Sequence, residues 1–63
     1  MKLLKFYMNI DQTEPVYINP ECVAYVHELD ADKCFVYMTD GSMVRVYDSA
    51  ENVAGKLALA WIP

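Results

Sequence analysis

Apolar residues follow two different periods along this chain. Between Val16 and Tyr47 they come in short runs with strand-like alternation, whereas after Asp48 they recur at helical spacing. The runs VYI, VAYVHEL, CFVYM and MVRVY are β-favouring, and polar breaks separate them. The pattern therefore predicts a first β-favouring segment over 2–10, strands over 15–19, 23–29, 34–40 and 43–47, and a helix that begins at Asp48.

The breaks between these segments carry recognisable turn chemistry. The polar link 11–14 favours a hairpin between the first two strands, and Asn19-Pro20-Glu21 favours a short helical turn. Pro15 cannot donate a ladder hydrogen bond, so we expect the second strand at a sheet edge. Asp40-Gly41 is typical of a two-residue type I′ turn, which needs positive φ at both positions. Strands three to five are therefore predicted to form an antiparallel meander.

This turn assignment predicts a register for the meander. Tyr37 pairs with Val44, and across a four-residue loop at 30–33 His27 pairs with Val36. Side-chain alternation then gives two faces. The first predicted face carries Ala24, Val26, Glu28, Phe35, Tyr37, Val44 and Val46. The second carries Val23, Tyr25, His27, Leu29, Val36, Met38, Met43, Arg45 and Tyr47. Both faces are substantially apolar, which is unusual for a sheet with one solvated side.

The C-terminal segment has a helix-start signature. Asp48-Ser49-Ala50-Glu51 resembles a capping box, in which Asp48 or Ser49 accepts hydrogen bonds from the free amides of the first turn. The predicted apolar stripe consists of Ala50, Val53, Ala54, Leu57 and Trp61. One helix of about twelve residues covers one sheet face only, and the pattern does not decide which face that is.

Together these elements predict an α+β fold in one domain over residues 1–63: a small antiparallel sheet of four to five strands, made of a β-hairpin and a three-stranded meander, with one C-terminal helix. The uncovered face is expected to pack against strand one, against a second subunit or against a partner. A chain of 63 residues supports only a small core, which favours self-association. The interface candidates are Tyr25, Tyr37, Tyr47, Met38, Met43 and Trp61.

Charge narrows the choice of partners. The formal net charge is −4, and the five Lys and Arg residues are scattered without forming a basic stripe, so we expect no nucleic-acid binding. Eight aromatic side chains are then best explained by core and interface packing. Acidic loop residues suggest an alternative function, an acidic inhibitor or decoy that docks on a basic site of an enzyme or nucleic-acid-binding protein. They are Asp11, Glu14, Glu21, Asp30, Asp32 and Asp40.

Candidate chemistry is sparse. Cys22 and Cys34 are predicted to be reduced thiols too far apart for a disulfide, and with His27 they fit no zinc spacing. The predicted register brings Cys34 diagonally close to His27, but it supplies no orienting third group and no oxyanion hole. We therefore expect no catalytic residues, metal or cofactor. With no signal peptide and no apolar run long enough to span a membrane, a cytoplasmic location is the expectation.

The segment from Val16 to Leu57 resembles the flagellar FlbD (swarming motility) family of small β-rich proteins. The shared features are, in order, an Asn-Pro-Glu turn at 19–21, a hairpin with Thr-Asp-Gly at 39–41, and a helix start at 48–53. This sequence departs from the family in its longer first hairpin link and at His27-Glu28, where the family has an acidic pair. The resemblance implies a small cytoplasmic accessory protein of motility without enzymatic activity. The strand-turn-strand-helix part is also similar to the first half of a LytTR-type domain, without that domain's basic second half.

Overall fold

The computed structural model describes residues 2–60 of the chain. Two strands, a short 3-10 helix, three further strands and an α-helix follow one another along the sequence. Their bounds are Leu4–Tyr7 (β1), Pro15–Ile18 (β2), Pro20–Cys22 (the 3-10 helix), Val23–Glu28 (β3), Cys34–Met38 (β4), Met43–Val46 (β5) and Ala50–Ala60 (α1). The strands form two antiparallel sheets, β1-β2 and β3-β4-β5. The predicted α+β class, with hairpin, meander and one C-terminal helix, is confirmed for the described residues.

The first hairpin is closed by a side chain. Asn9 Oδ1 accepts hydrogen bonds from the Thr13 and Glu14 amides, each at 3.1 Å, so the loop after β1 is held by one amide oxygen. Gln12 takes a positive φ of 57° within this loop. The predicted pairing of the first two strands is confirmed. The 3-10 helix that follows begins at Pro20 with Asn19 as its N-cap, as its turn sequence predicts.

The meander forms, but its predicted register is wrong by one residue in both pairs. Val36 lies opposite Val44 and Val26, where the prediction placed it opposite Arg45 and His27. In the β4–β5 turn only Gly41 has a positive φ, at 92°, and Met38 donates its amide hydrogen to Ser42 O at 2.8 Å. The loop therefore has three residues, a type I turn followed by a left-handed glycine, and not two.

The β3–β4 loop, in contrast, is one residue shorter than predicted, and two hydrogen bonds to one side chain close it. Asp30 Oδ1 accepts from the amides of Asp32 and Lys33, and Leu29 donates its amide hydrogen to Lys33 O. Leu29 therefore faces Lys33 and not Cys34. A bulge between Val23 and Tyr25 shifts the ladder again near its other end.

The register shift turns β4 over relative to its neighbours, because a slip of one residue exchanges the two faces of a strand. Cys34 and Val36 share a face with Val26, Val44 and Val46. The opposite face, which we call the outer face, carries Tyr25, His27, Phe35, Tyr37, Met43 and Arg45. Both predicted faces were therefore wrong in their β4 members.

The core lies on the Val36 side of the meander. Seven residues are buried there: Phe6, Ile18, Cys34, Val36, Val46, Val53 and Leu57. They come from both sheets and from α1, so the helix covers the Val36 face. Helix α1 is capped by Ser49, whose Oγ accepts from the Asn52 amide at 3.1 Å. Within the predicted stripe Ala54 is exposed, which contradicts its assignment, and Trp61 lies outside the described residues.

The two sheets meet at one backbone hydrogen bond. The Tyr47 amide, just beyond β5, donates to Tyr7 O at the end of β1, at 2.7 Å. The inward side chains of the first hairpin, Phe6 and Ile18, then complete the core against α1 and the meander. Strand one therefore packs on the same side as the helix and leaves the outer face uncovered.

Candidate interaction surface

The outer face holds an ordered aromatic cluster. The rings of Tyr25 and Tyr37 stack with centroids 4.5 Å apart and planes 14° apart, and Phe35 meets Tyr37 edge-on at 6.3 Å. The stacking follows from the register, because Tyr25 and Tyr37 are directly opposite each other on neighbouring strands. Such pairs stabilise a sheet beyond the area that they bury. The three rings thus form one contiguous aromatic surface.

The outer face remains accessible at Tyr25 and Met43, whereas Phe35 and Tyr37 are half-buried. Tyr25 is 57% exposed and Met43 is 49% exposed, although both are large and apolar. The two polar members of the outer face are Arg45 and His27, and both are exposed. None of its six residues is acidic, although the chain as a whole carries a net charge of −4. The outer face therefore differs from the rest of the surface in both hydrophobicity and charge.

The remaining interface candidates fall elsewhere. Met38 is half-buried and packs against the core, on the side opposite Tyr37. Tyr47 follows β5 and lies under the Lys33 ammonium, which is 5.9 Å from the ring centroid. Tyr25, Tyr37 and Met43 lie together on the outer face. The prediction had placed Tyr37 on the opposite face from Tyr25 and Met43. Trp61 lies outside the described residues.

Sequence reasoning missed a small cleft between the first hairpin and α1. It encloses about 320 Å³, and its lining residues are Lys5, Phe6, Tyr7, Gln12, Tyr47, Asp48, Asn52 and Lys56. Asp48 is already engaged, since its carboxylate accepts from Asn52 Nδ2 at 3.1 Å and lies 3.6 Å from Lys56 Nζ. Hydrogen bonding to the Tyr7 phenol, followed by the charge of Tyr17, raises the pKa of the Lys5 ammonium. The polar groups of the cleft thus bind mainly one another.

The thiol and the imidazole that sequence reasoning considered together are separated. His27 pairs with Phe35 on the outer face, whereas Cys34 is fully buried on the core face. Burial raises the pKa of the Cys34 thiol, and the nearby Asp48 carboxylate adds to the effect, which disfavours the reactive thiolate form. Cys22 is exposed and also free, as the prediction of reduced thiols requires. Among residues 2–60 no three His, Cys, Asp or Glu side chains cluster as a metal site.

The acidic loop residues do not form one patch. Asp30 and Asp32 lie in the β3–β4 loop and Asp40 lies in the β4–β5 loop, at opposite ends of the five-residue strand β4. At roughly 3.3 Å per residue the two loops are roughly 17 Å apart. Two of these carboxylates also serve their own loops, since Asp30 binds backbone amides and Asp40 accepts from the Ser42 hydroxyl at 2.6 Å.

Comparison of the chain with family models, with curated proteins and with solved structures finds no match. No helix within the described residues has the length and apolar character needed to cross a membrane.

Proposed function

We propose that this chain is a non-enzymatic protein-interaction module that self-associates, and that the outer face belongs to its contact surface. The observation that carries the proposal is the exposed aromatic cluster around the stacked Tyr25–Tyr37 pair. Tyrosine combines a large apolar body with a polar tip at small conformational cost, and contact surfaces are enriched in it. Exposed apolar patches on small proteins commonly mark such surfaces.

Size supports the same proposal. Seven residues form the buried hydrophobic core within residues 2–60, and a domain this small buries a smaller fraction of its surface than a large domain does. Self-association would bury further apolar surface, which a chain of this size buries only sparingly by itself. The resemblance of the segment from Val16 to Leu57 to the flagellar FlbD family supports a role as a cytoplasmic accessory protein of motility. The alternative of an acidic decoy has less support, because Asp30 and Asp32 lie at the opposite end of the meander from Asp40.

The test is solution mass by light scattering over a concentration series, on the wild type and two tyrosine variants. Tyr25→Lys places a charge inside the aromatic cluster and is expected to shift the equilibrium to monomer. Tyr17→Lys is the matched control, because Tyr17 is 58% exposed on β2, away from the outer face. A monomeric wild type at every concentration, or equal masses for both variants, would contradict the proposal.

A further inference from the structure

Strand β3 has a free backbone edge. It pairs with β4 alone, and Leu29, directly after it, donates its amide hydrogen to Lys33 O. Hydrogen-bonded and non-bonded pairs alternate along an antiparallel ladder, so Tyr25 and His27 use their backbone groups toward β4. Val26 and Glu28 then direct their amide hydrogens and carbonyl oxygens away from the sheet. No other described strand pairs with β3 on that side.

The outward edges of β5 and β2 are partly blocked, whereas the segment 25–28 of β3, beyond the bulge between Val23 and Tyr25, is open. The edge of β5 is closed at one end by the bond between Tyr47 and Tyr7, and β2 begins with Pro15, which has no amide hydrogen. Strand β3 has the sequence VAYVHE, without proline or lysine, and none of its six residues is buried. An unpaired edge of this kind is a template for another strand.

We propose that a second copy of this chain pairs with β3 in antiparallel fashion, across a twofold axis near His27, to form a six-stranded sheet. This inference rests on the self-association in the proposed function. A strand that pairs with itself in antiparallel orientation makes the isologous contact of a twofold dimer. The free backbone groups of Val26 and Glu28 are then matched by those of Glu28 and Val26 in the second copy, so each free group gains a partner.

The side chains are compatible with this register. Tyr25 and His27 of both copies lie on the same side of the joined sheet, so the two outer faces merge into one aromatic surface. The bulge near Ala24 stays outside the paired segment. Each Glu28 lies opposite a valine of the other copy, so no carboxylate opposes another carboxylate across the seam.

Helix α1 supplies a second contact beside the edge. It packs against β3, and Lys56 on one flank lies 5.6 Å from the ring centroid of Phe6 in the first hairpin. Ala54 and Ala58 lie on the other flank, about 160° around the helix from Asn52 and Lys56, and both are exposed. Because the Lys56 flank lies toward the first hairpin, we infer that the alanine flank lies toward the free edge of β3 in the proposed dimer, where its small side chains leave room for the helix of the second copy. The added area matters, because stable complexes bury about 1,200–2,000 Å².

Hydrogen exchange of the unmodified protein tests the pairing directly. The amides of Val26 and Glu28 are expected to exchange slowly at a concentration where the dimer dominates and quickly after dilution. The amides of Tyr25 and His27 bond within the chain and are expected to change much less. A wild type that stays monomeric at all concentrations removes the self-association proposal itself, and this inference with it.

Two matched variants separate edge pairing from stacking of the outer faces. Glu28→Pro removes an edge donor and is expected to raise the dimer Kd about tenfold or more, whereas Glu28→Ala keeps the donor and leaves the Kd within a few-fold. Met43→Lys changes the outer face two strands away from β3, so it is expected to weaken the dimer much less than Glu28→Pro does.

The opposite pattern would overturn the inference. If Met43→Lys dissociates the dimer while Glu28→Pro does not, and Val26 and Glu28 gain no protection, the copies meet through their outer faces. Self-association would then stand and edge pairing would fall. Far-UV circular dichroism verifies that each variant is folded, and the exchange experiment needs no variant.

Discussion

The two faces of strand β4 have opposite environments although they share one backbone. Cys34 and Val36 are fully buried between the meander, the first hairpin and α1. Phe35 and Tyr37, which are larger, stay half-exposed on the outer face. Hydrophobicity therefore does not decide which residues of β4 form the core. The register of β4 decides this, because it sets which face of the strand packs against helix α1.

The largest expected difference between the faces is in their tolerance of charge. Val36→Asp places an unpaired carboxylate in the core and should cost about 3–5 kcal/mol, comparable with the whole stability of a small domain. Met43→Asp, on the outer face, should lower the free energy of unfolding by no more than about 1 kcal/mol. Urea unfolding followed by far-UV circular dichroism measures both. If the two variants unfold at the same urea concentration, the assignment of the faces is wrong.

Sequence reasoning located the elements because each boundary has its own chemical signal. Asn19-Pro20, Asp40-Gly41 and the Asp48-Ser49 cap each mark an end that the structure confirms within about two residues. These signals act over three or four residues, and the structure uses them locally. The fold class follows from them without knowledge of any long-range contact.

The register could not be predicted in the same way. Asp-Gly fits a two-residue type I′ loop, but it also fits a three-residue loop in which only Gly41 has a positive φ. Loop length differs by one residue between these choices, and that residue exchanges the faces of β4. The aromatic cluster was consequently divided between two predicted faces. Ala54 was misplaced for a related reason, since alanine gives little hydrophobic signal about which flank of a helix is buried.

A second prediction tests the loop that sets this register. Gly41 has a φ of 92°, and a Cβ there would meet no atom within 4 Å, so the cost of Gly41→Ala is conformational. We expect a loss of about 1–2 kcal/mol in the free energy of unfolding. Gly55→Ala is the control with the same atoms added, because Gly55 is helical and equally open. It should stabilise the protein by about 0.4–1 kcal/mol.

If Gly41 is left-handed, the Gly→Ala substitution changes the free energy of unfolding in opposite directions at Gly41 and Gly55. Equal effects at both glycines would mean that the three-residue loop is not formed and that the two faces of β4 are assigned incorrectly. Nuclear Overhauser contacts between the Hα atoms of Tyr37 and Met43 check the register independently, since this pair is non-hydrogen-bonded in the observed ladder.

The smallest expected effect is on the pH dependence of the melting temperature, and it comes from the loops at the two ends of β4. The Asp32 amide and then the Lys33 ammonium lower the pKa of Asp30, and the Ser42 hydroxyl and amide lower the pKa of Asp40. A carboxylate whose pKa is lowered by folding stabilises the folded protein at pH values above the ordinary aspartate pKa of 3.8. That contribution is lost as the pH falls through the folded-state pKa. Melting temperature should therefore decline more steeply below about pH 4.

Asparagine variants isolate these two carboxylates. Asp30→Asn and Asp40→Asn keep an oxygen acceptor in each loop and remove the titration, so each should flatten the decline of the melting temperature in acid. Asp32→Asn is the control, because the Asp32 carboxylate accepts no hydrogen bond within the described residues. If all three variants retain the steep decline, loop closure at the ends of β4 does not depend on charge. The contrast between its two faces would then rest on packing and on the conformation of Gly41 alone.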